Sequence, residues 1–343
     1  MQTQVRSSAR KAQPPDRDLP FAAAVLVSDA DAQEYGEQLT RSGLVSRKQT
    51  LRETRALASQ QYRTAKQEPG EKSQAFSAIQ DCVAEEARLE DLLSNAFLPQ
   101  HGSSQLLSPR AMFVSPLFRV RSKRIARNEF VTFKMADPLG GVALGYRGPE
   151  LRQSDGLVFM ALLNLARDVK VGTTVSFSPE ALCTVVFGRY DGPSRKSMRE
   201  HIIRLQSALL IFKEFSVQMC QRFNYPSSGN WSVALDADLV RLFSGVPFVW
   251  LQLEHRLGLP EGLATWLYAF IESQTRLIPT KVDTLRELCG SDATVKSFTG
   301  SLREALACLA ARNVIANGWT VADGSVRWMK RSSPAAPACA AVA

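Results

Sequence analysis

The sequence predicts an α+β fold, mainly α, in which one order of elements is used twice behind a partly disordered, helical N-terminal region. Three observations predict it. A helix, a short helix, a long helix and a hairpin read out over residues 157–235, and the same order returns over 263–329. Each short helix is stopped by a glycine, Gly188 or Gly290. The chain is 343 residues long and 45% hydrophobic, enough for two ordinary cores. The division this suggests is 1–110 as a polar N-terminal region, 111–235 as the first unit, 236–330 as the second and 331–343 as a flexible tail.

Residues 1–20 and 331–343 are rich in Pro, Ala and Ser and read as loose tails. Residues 29–94 are polar and helix-favouring, with breaks at Gly43 and at Glu68-Pro69-Gly70, and their apolar residues form no strong core pattern. The stretch His101-Gly102-Ser103-Ser104 reads as a linker. Residues 118–127 then hold five Lys or Arg and no acidic residue. Two strand-like runs follow, 130–135 and 142–147, separated by a turn signal at 137–141.

In the first unit, 157–166 is an apolar helix and 173–177 a short strand. Ser178 is the expected N-cap of the short helix, with Pro179 at its first position. The long helix starts near Pro193, with Met198, Ile202, Leu205, Leu209 and Phe212 as its apolar stripe. The hairpin alternates at Phe215, Val217 and Met219, turns over 226–230, and alternates again at Trp231, Val233 and Leu235. In the second unit the helices are 263–271, 281–289 and 293–311, the last with a stripe of Val295, Phe298, Leu302, Ala305 and Leu309. Its hairpin turns at Asp323-Gly324, a pair favoured in tight type I′ turns. This layout, used twice, is that of tandem winged helices, whose long helix enters the DNA major groove while the hairpin flanks it.

The charge agrees with that reading. Residues 1–110 hold 14 basic and 14 acidic residues, whereas 111–343 hold 28 and 19, so the whole excess of nine lies in the repeated part. A polyanionic partner is the natural inference. On the first long helix Lys196 and Arg199 lie opposite the apolar stripe, Arg195 and Arg204 flank it, and Arg189 sits in the turn before it. On the second, Lys296 and Arg303 lie on the outer face, Thr294 and Ser297 can donate to phosphates, and Arg327 and Lys330 sit on or beside the hairpin. Arginine can bond guanine O6 and N7 together, and either cation can neutralise phosphates. Gly300, inside a helix, costs about 1 kcal/mol relative to Ala, which a close approach to DNA would explain.

Catalytic chemistry is missing from the pattern. There is no P-loop, no nucleophile elbow and no histidine pair at metal spacing, so neither enzyme activity nor a metal or other cofactor is expected. His101, His201 and His255 are isolated, and Asp236 with Asp238 reads as a helix start. The six cysteines stand singly and read as free thiols. No run is long and apolar enough to cross a membrane, and residues 1–20 lack an apolar signal core, so a cytoplasmic location is expected.

Over residues 115–331 the sequence resembles the TrfA family of plasmid replication initiators. The resemblance rests on Ser115-Pro-Leu-Phe118 with the basic run after it, Tyr146-Arg-Gly-Pro-Glu-Leu-Arg152, and Arg204-Leu-Gln206. It continues through Val240-Arg-Leu-Phe-Ser-Gly245 and Leu285-Arg-Glu-Leu-Cys-Gly-Ser-Asp292. It implies binding to tandem direct repeats (iterons) in origin DNA, opening of an adjacent A·T-rich stretch, and a monomer–dimer equilibrium. The implied partners are double-stranded origin DNA, the host initiator DnaA, the replicative helicase and the sliding clamp. Residues 91–97 and 105–108 depart from the clamp-type peptide that family members carry, and Ala126 stands where the family tends to have Pro. Two other readings of the same residues stay open at this point: a winged-helix transcriptional regulator on an operator, and an interaction module for acidic partners.

Overall fold

The computed structural model describes residues 25–26, 41–64, 69–135, 143–243 and 247–329. The two terminal tails, the turn signal at 137–141 and Lys330 lie outside the described residues. A short strand, β1 (Val25–Leu26), precedes two long helices, α1 (Arg41–Thr64) and α2 (Pro69–Ala96). Next come β2 (Gln105–Pro109), a 3-10 turn (Arg110–Met112), β3 (Phe118–Arg119), β4 (Val131–Met135), β5 (Leu144–Gly148) and β6 (Leu151–Arg152). The first repeat is α3 (Gln153–Leu165), β7 (Thr174–Phe177), α4 (Pro179–Phe187) and α5 (Gly192–Gln206), then β8 (Leu209–Ile211), β9 (Ser216–Gln218), β10 (Arg222–Asn224) and β11 (Trp231–Ala234). A 3-10 segment (Ala237–Leu242), β12 (Phe248–Gln252) and α6 (Leu253–Gly258) lead into the second repeat. That repeat is α7 (Leu263–Glu272), β13 (Thr280–Lys281), α8 (Val282–Leu288), α9 (Val295–Ala311), β14 (Thr320–Ala322) and β15 (Ser325–Arg327).

The two repeats share one sheet topology. In the first, β11 lies between β7 and β10, and in the second β15 lies between β13 and β14, all antiparallel. Each time the strand entering the short helix therefore pairs with the last strand of the hairpin, which closes the unit on itself. β1 extends the first of these sheets by pairing with β7. At the second hairpin Asp323 and Gly324 both have positive φ, 50° and 67°, as a type I′ turn requires.

One hydrophobic core runs from Leu98 to Trp328 through both repeats. α3 is its centre. Nearly every residue of that helix is buried, so its sequence shows no polar face to read. The aromatic residues Phe177, Phe223 and Trp231 meet edge to face in the first unit, with ring centroids 6.4 and 5.5 Å from Trp231. Such geometry adds about 0.5–1.5 kcal/mol per pair beyond the area buried.

α1 and α2 pack as an antiparallel pair with a small core of their own, Leu44, Leu89 and Phe97. Ion pairs Arg47–Glu85 (2.8 Å) and Arg55–Glu86 (3.3 Å) cross between them, each partly exposed and worth about 0–1 kcal/mol. The pair joins the body where the Arg41 amide donates to Asp168 O (3.0 Å) and the Val171 amide to Ala96 O (2.9 Å).

Four local expectations are corrected. α5 ends at Gln206, not near Phe212, because residues 209–211 pair with β5 as a strand. The apolar run 215–219 is not the first arm of the hairpin: β9 pairs with β8 in a sheet ordered β4-β5-β8-β9, and the arm opposite β11 is β10. Val295 is 43% exposed, so the buried stripe of α9 begins at Phe298 and includes Leu306. The stretch 101–104 is a packed turn rather than a linker, since His101 is buried and Asn164 Nδ2 donates to Gly102 O and Gln105 O (3.3 and 2.6 Å).

Candidate nucleic-acid interface

The path into α5 is built from capping residues. Ser178 Oγ accepts from the Ala181 amide (3.3 Å), and Pro179 opens α4. Gly188 ends it in the left-handed region at φ 71°, which a residue with a Cβ resists. The chain then turns, and Asp191 caps α5 by accepting from the Ser194 amide (2.7 Å) while Ser194 Oγ accepts from the Asp191 amide (2.8 Å). The hydrogen bonds that Ser194 donates from its amide and side chain, joined by the nearby Arg189 charge, hold the Asp191 carboxyl below the usual range. Met198, Ile202 and Leu205 bury one face of α5, which turns Lys196, Arg199 and Glu200 outward.

The hairpin turn beside α5 is tied to it. Arg195 Nη2 donates to Pro226 O (3.0 Å) and Ser227 O (2.7 Å), and its guanidinium lies over the Trp231 ring at 5.4 Å. Trp231 Nε1 also donates to Pro226 O (3.3 Å). Arg199 lies over the Tyr225 ring at 5.5 Å. Between helix and turn is an open hollow of about 250 Å³ lined by Gly192, Lys196, Arg199, Tyr225 and Ser227. Lys196 stands at its rim, within 4.0 Å of Glu200 and 69% exposed. α9 repeats the device: Thr294 caps it by accepting from the Ser297 amide (3.4 Å), and Arg303 Nη2 donates to Val321 O (3.2 Å) in the second hairpin.

The residues expected from the sequence to contact nucleic acid therefore divide. Lys196 and Arg199 share the outer ridge of α5, and Arg189 is exposed in the turn before it, 3.4 Å from Asp191. Thr294, Lys296, Ser297 and Arg303 are exposed on the start and outer side of α9, and Arg327 is exposed on β15. Gly300 is exposed, and a Cβ there would meet no atom within 4 Å. Arg195 is engaged with the hairpin. Arg204 is turned inward, its Nε donating to Asp155 Oδ1 (2.9 Å).

Asp155 is the hub of a buried charge network. Besides Arg204 it accepts from Arg127 Nη1 (2.6 Å), the Arg152 amide (2.8 Å) and His201 Nδ1 (2.6 Å). Burial by itself would raise its pKa, but the His201 hydrogen bond and the charges of Arg204 and Arg127 hold it well below the usual carboxylate range. Glu150, also buried, accepts from Arg152 Nε (2.6 Å) and Arg121 Nη1 (2.7 Å). Two of the five cations in the basic run 118–127, Arg121 and Arg127, are thus consumed inside the protein. Burial also pushes the Cys183, Cys220 and Cys289 thiols up to about 12, as inert packing groups. Among the described residues no group of three or more His, Cys, Asp or Glu stands ready for a metal ion. No helix among them is long and apolar enough to cross a membrane.

Tyr225 and Trp231 are the site residues that sequence reasoning passed over. Their signal was present: two aromatics bracketing a Pro-Ser-Ser-Gly-Asn turn, opposite arginines four residues apart on a helix.

The plasmid replication initiator protein TrfA of Escherichia coli is 27% identical over 224 residues, which are 61% of this chain and 58% of that protein. The chain thus spans less than two thirds of that relative's length. Two solved structures of domains 2 and 3 of RctB overlay with TM-scores of 0.46 and 0.42 at 13% and 12% identity. They cover 66% and 64% of this chain, and 99% and 96% of theirs. The model of the TrfA protein family matches residues 84–330, which takes in both repeats and the segment that joins them. The chain belongs to the TrfA family of plasmid replication initiators.

Proposed function

We propose that this chain initiates plasmid replication, without enzymatic activity of its own, by binding double-stranded origin DNA at tandem direct repeats. Each repeat of the fold acts as a winged-helix unit, with α5 and α9 in successive major grooves and the hairpins 225–230 and 320–327 against the flanking backbone. One site then spans about 20 base pairs. The observation that carries the reading is the outward ridge of Lys196 and Arg199 on α5, beside a hairpin held in place from the same helix, with the arrangement repeated at α9. Arg199, steadied by Tyr225, reads a base, while Lys196, Lys296 and Arg327 neutralise phosphates.

Binding energy is then available to strain an adjacent A·T-rich stretch, and the protein–DNA complex recruits the host DnaA, helicase and sliding clamp in the cytoplasm. A monomer–dimer equilibrium sets how much chain is competent to bind. A gel-shift titration of the full chain on repeat-bearing DNA from around its own gene, against scrambled DNA, tests this. Five exposed cations besides the base-reading Arg199 (Arg189, Lys196, Lys296, Arg303, Arg327) predict a slope of log K against log salt of about −4.5. Equal affinity for the two DNAs would remove sequence recognition.

A further inference from the structure

Beside the apolar core they share, the two repeats meet through polar groups, and those groups converge on one strap of chain, residues 118–121. Phe118 and Arg119 pair in parallel with Leu151 and Arg152 at the start of α3, in the first repeat. One residue on, the Val120 amide donates to Cys289 O (2.9 Å), at the end of α8 in the second. Arg121 then forks between the two: its Nη1 donates to Glu150 (2.7 Å), and its Nε lies 2.9 Å from Asp292 Oδ2, two residues before the cap of α9. The turn that carries Asp292 is moulded to the strap. Gly290 has φ 62°, and a Cβ there would lie 2.9 Å from both Pro116 Cβ and Arg119 Cγ.

Behind the strap the contact is again directional. Gln153 Nε2 donates to Phe118 O (2.6 Å), Gln153 Oε1 accepts from Thr265 Oγ1 (3.3 Å), and Gln153 O accepts from the buried Arg256 (3.0 Å). Apolar surfaces tolerate sliding, whereas hydrogen bonds between buried groups hold in one arrangement and are costly to leave unmade. Apart from the half-exposed Asp292 this set of contacts is buried or partly buried, and it ends at the root of each long helix, at Arg152 and Asp155 under α5 and at Asp292 ahead of α9.

We infer that this junction, with Arg121 and Asp292 as its positioning residues, sets the angle between α5 and α9 and so selects the spacing between the two half-sites on DNA. The inference rests on the reading of α5 and α9 as DNA-recognition helices. One base pair added between half-sites turns the second by about 35° and moves it about 3.4 Å. A fixed junction cannot follow that shift without breaking contacts, while a loosened one can.

The test measures affinity for a repeat and for the same repeat with one base pair inserted or deleted between half-sites, for the full chain and for Asp292→Ala. Asp292 is half-exposed, and Arg121 keeps Glu150 when it is removed, so no buried cation is orphaned. Gly290→Ala, which wedges the strap away from the turn, is the second variant, and Asp292→Ala decides where it fails to fold. The wild-type chain is expected to lose at least about tenfold in affinity on the altered spacing. In both variants that ratio should shrink to about threefold or less. The ratio cancels any uniform gain from removing a negative charge near DNA. A wild-type chain with no preference for the repeat overturns the functional reading and this inference with it. A wild-type chain that prefers the repeat, together with an Asp292→Ala variant that keeps the full spacing ratio, overturns this inference alone.

Discussion

The substitution Asp155→Asn keeps the shape of the side chain and removes the charge on which His201, Arg127 and Arg204 converge. Both carboxylate oxygens are used: Oδ1 by His201 and Arg204 at 2.6 and 2.9 Å, Oδ2 by Arg127 and the Arg152 amide at 2.6 and 2.8 Å. The side chain is fully buried. An amide presents one acceptor and adds a donor among donors, so at least one partly buried cation loses its partner. Breaking a buried pair in this way costs about 3–5 kcal/mol. With roughly 1–2 °C of melting temperature per kcal/mol for a chain of this length, the drop is about 3–10 °C. Thermal denaturation of the full chain at pH 7, followed by circular dichroism, measures it. A drop under about 2 °C would refute the claim that the network is a structural hub.

Acid supplies a second readout of the same change. The folded Asp155 carboxyl is held well below its unfolded value near 4, so it stays ionised where the unfolded chain takes up a proton. Its stabilisation is therefore complete above about pH 5 and is lost as the pH falls below about 4. The stability gap between wild type and Asp155→Asn should be constant from pH 8 to 5. Below about pH 4 it should narrow by up to about 1.4 kcal/mol per pH unit. A gap that widens on acidification contradicts the sign.

Three further outcomes follow from the ridge and the hairpins. Arg199→Ala should weaken repeat binding by about 1–3 kcal/mol with an unchanged melting temperature, and unaltered affinity and base preference would end its assignment as a base reader. Arg195→Ala should speed hydrogen exchange in a peptide covering 225–231 while α5 stays protected. Its affinity loss should be smaller, about 1 kcal/mol, because it acts through the hairpin turn, and a loss equal to that of Arg199→Ala would mean direct contact. Gly300→Ala should raise stability by about 1 kcal/mol, since a Cβ there meets nothing. If DNA approaches α9 at that point the same change lowers affinity, and a stabilised variant with full affinity would free Gly300 of any functional role.

The repeated order of elements was legible because it is written in local signals. Gly188, Gly290, Pro179 and Asp323-Gly324 each dictate a backbone turn without help from distant residues. What could not be read was decided by pairing across the chain. Leu209 and Phe212 continue the helical spacing of α5, yet Leu209 is taken by β5 and only Leu210 of that strand is fully buried. The run 215–219 alternates as a hairpin arm should, and it does form a strand, but with a different neighbour. The candidate interface was half legible for a similar reason. Composition counts Arg127, Arg152 and Arg204 as free positive charge, and only the fold reveals that Asp155 and Glu150 consume them. Lys196 and Arg199 were found because opposition to an apolar stripe is a property of the helix alone.

The pairing of β2 with β12 has a consequence for how the chain is made. Gln105 faces Gln252 and Pro109 faces Phe248, so the first strand of the body is matched only after roughly 140 more residues have been synthesised. At about 5–20 residues per second, that is a wait of roughly 7–30 seconds on the ribosome. During it Leu106 and Leu107, both fully buried in the finished protein, have no strand beside them. A nascent chain stalled before Phe248 therefore carries an open strand edge beside these leucines, a feature that attracts chaperones and other unfinished chains. This sheet is thus closed late, when β12 emerges just ahead of the second repeat.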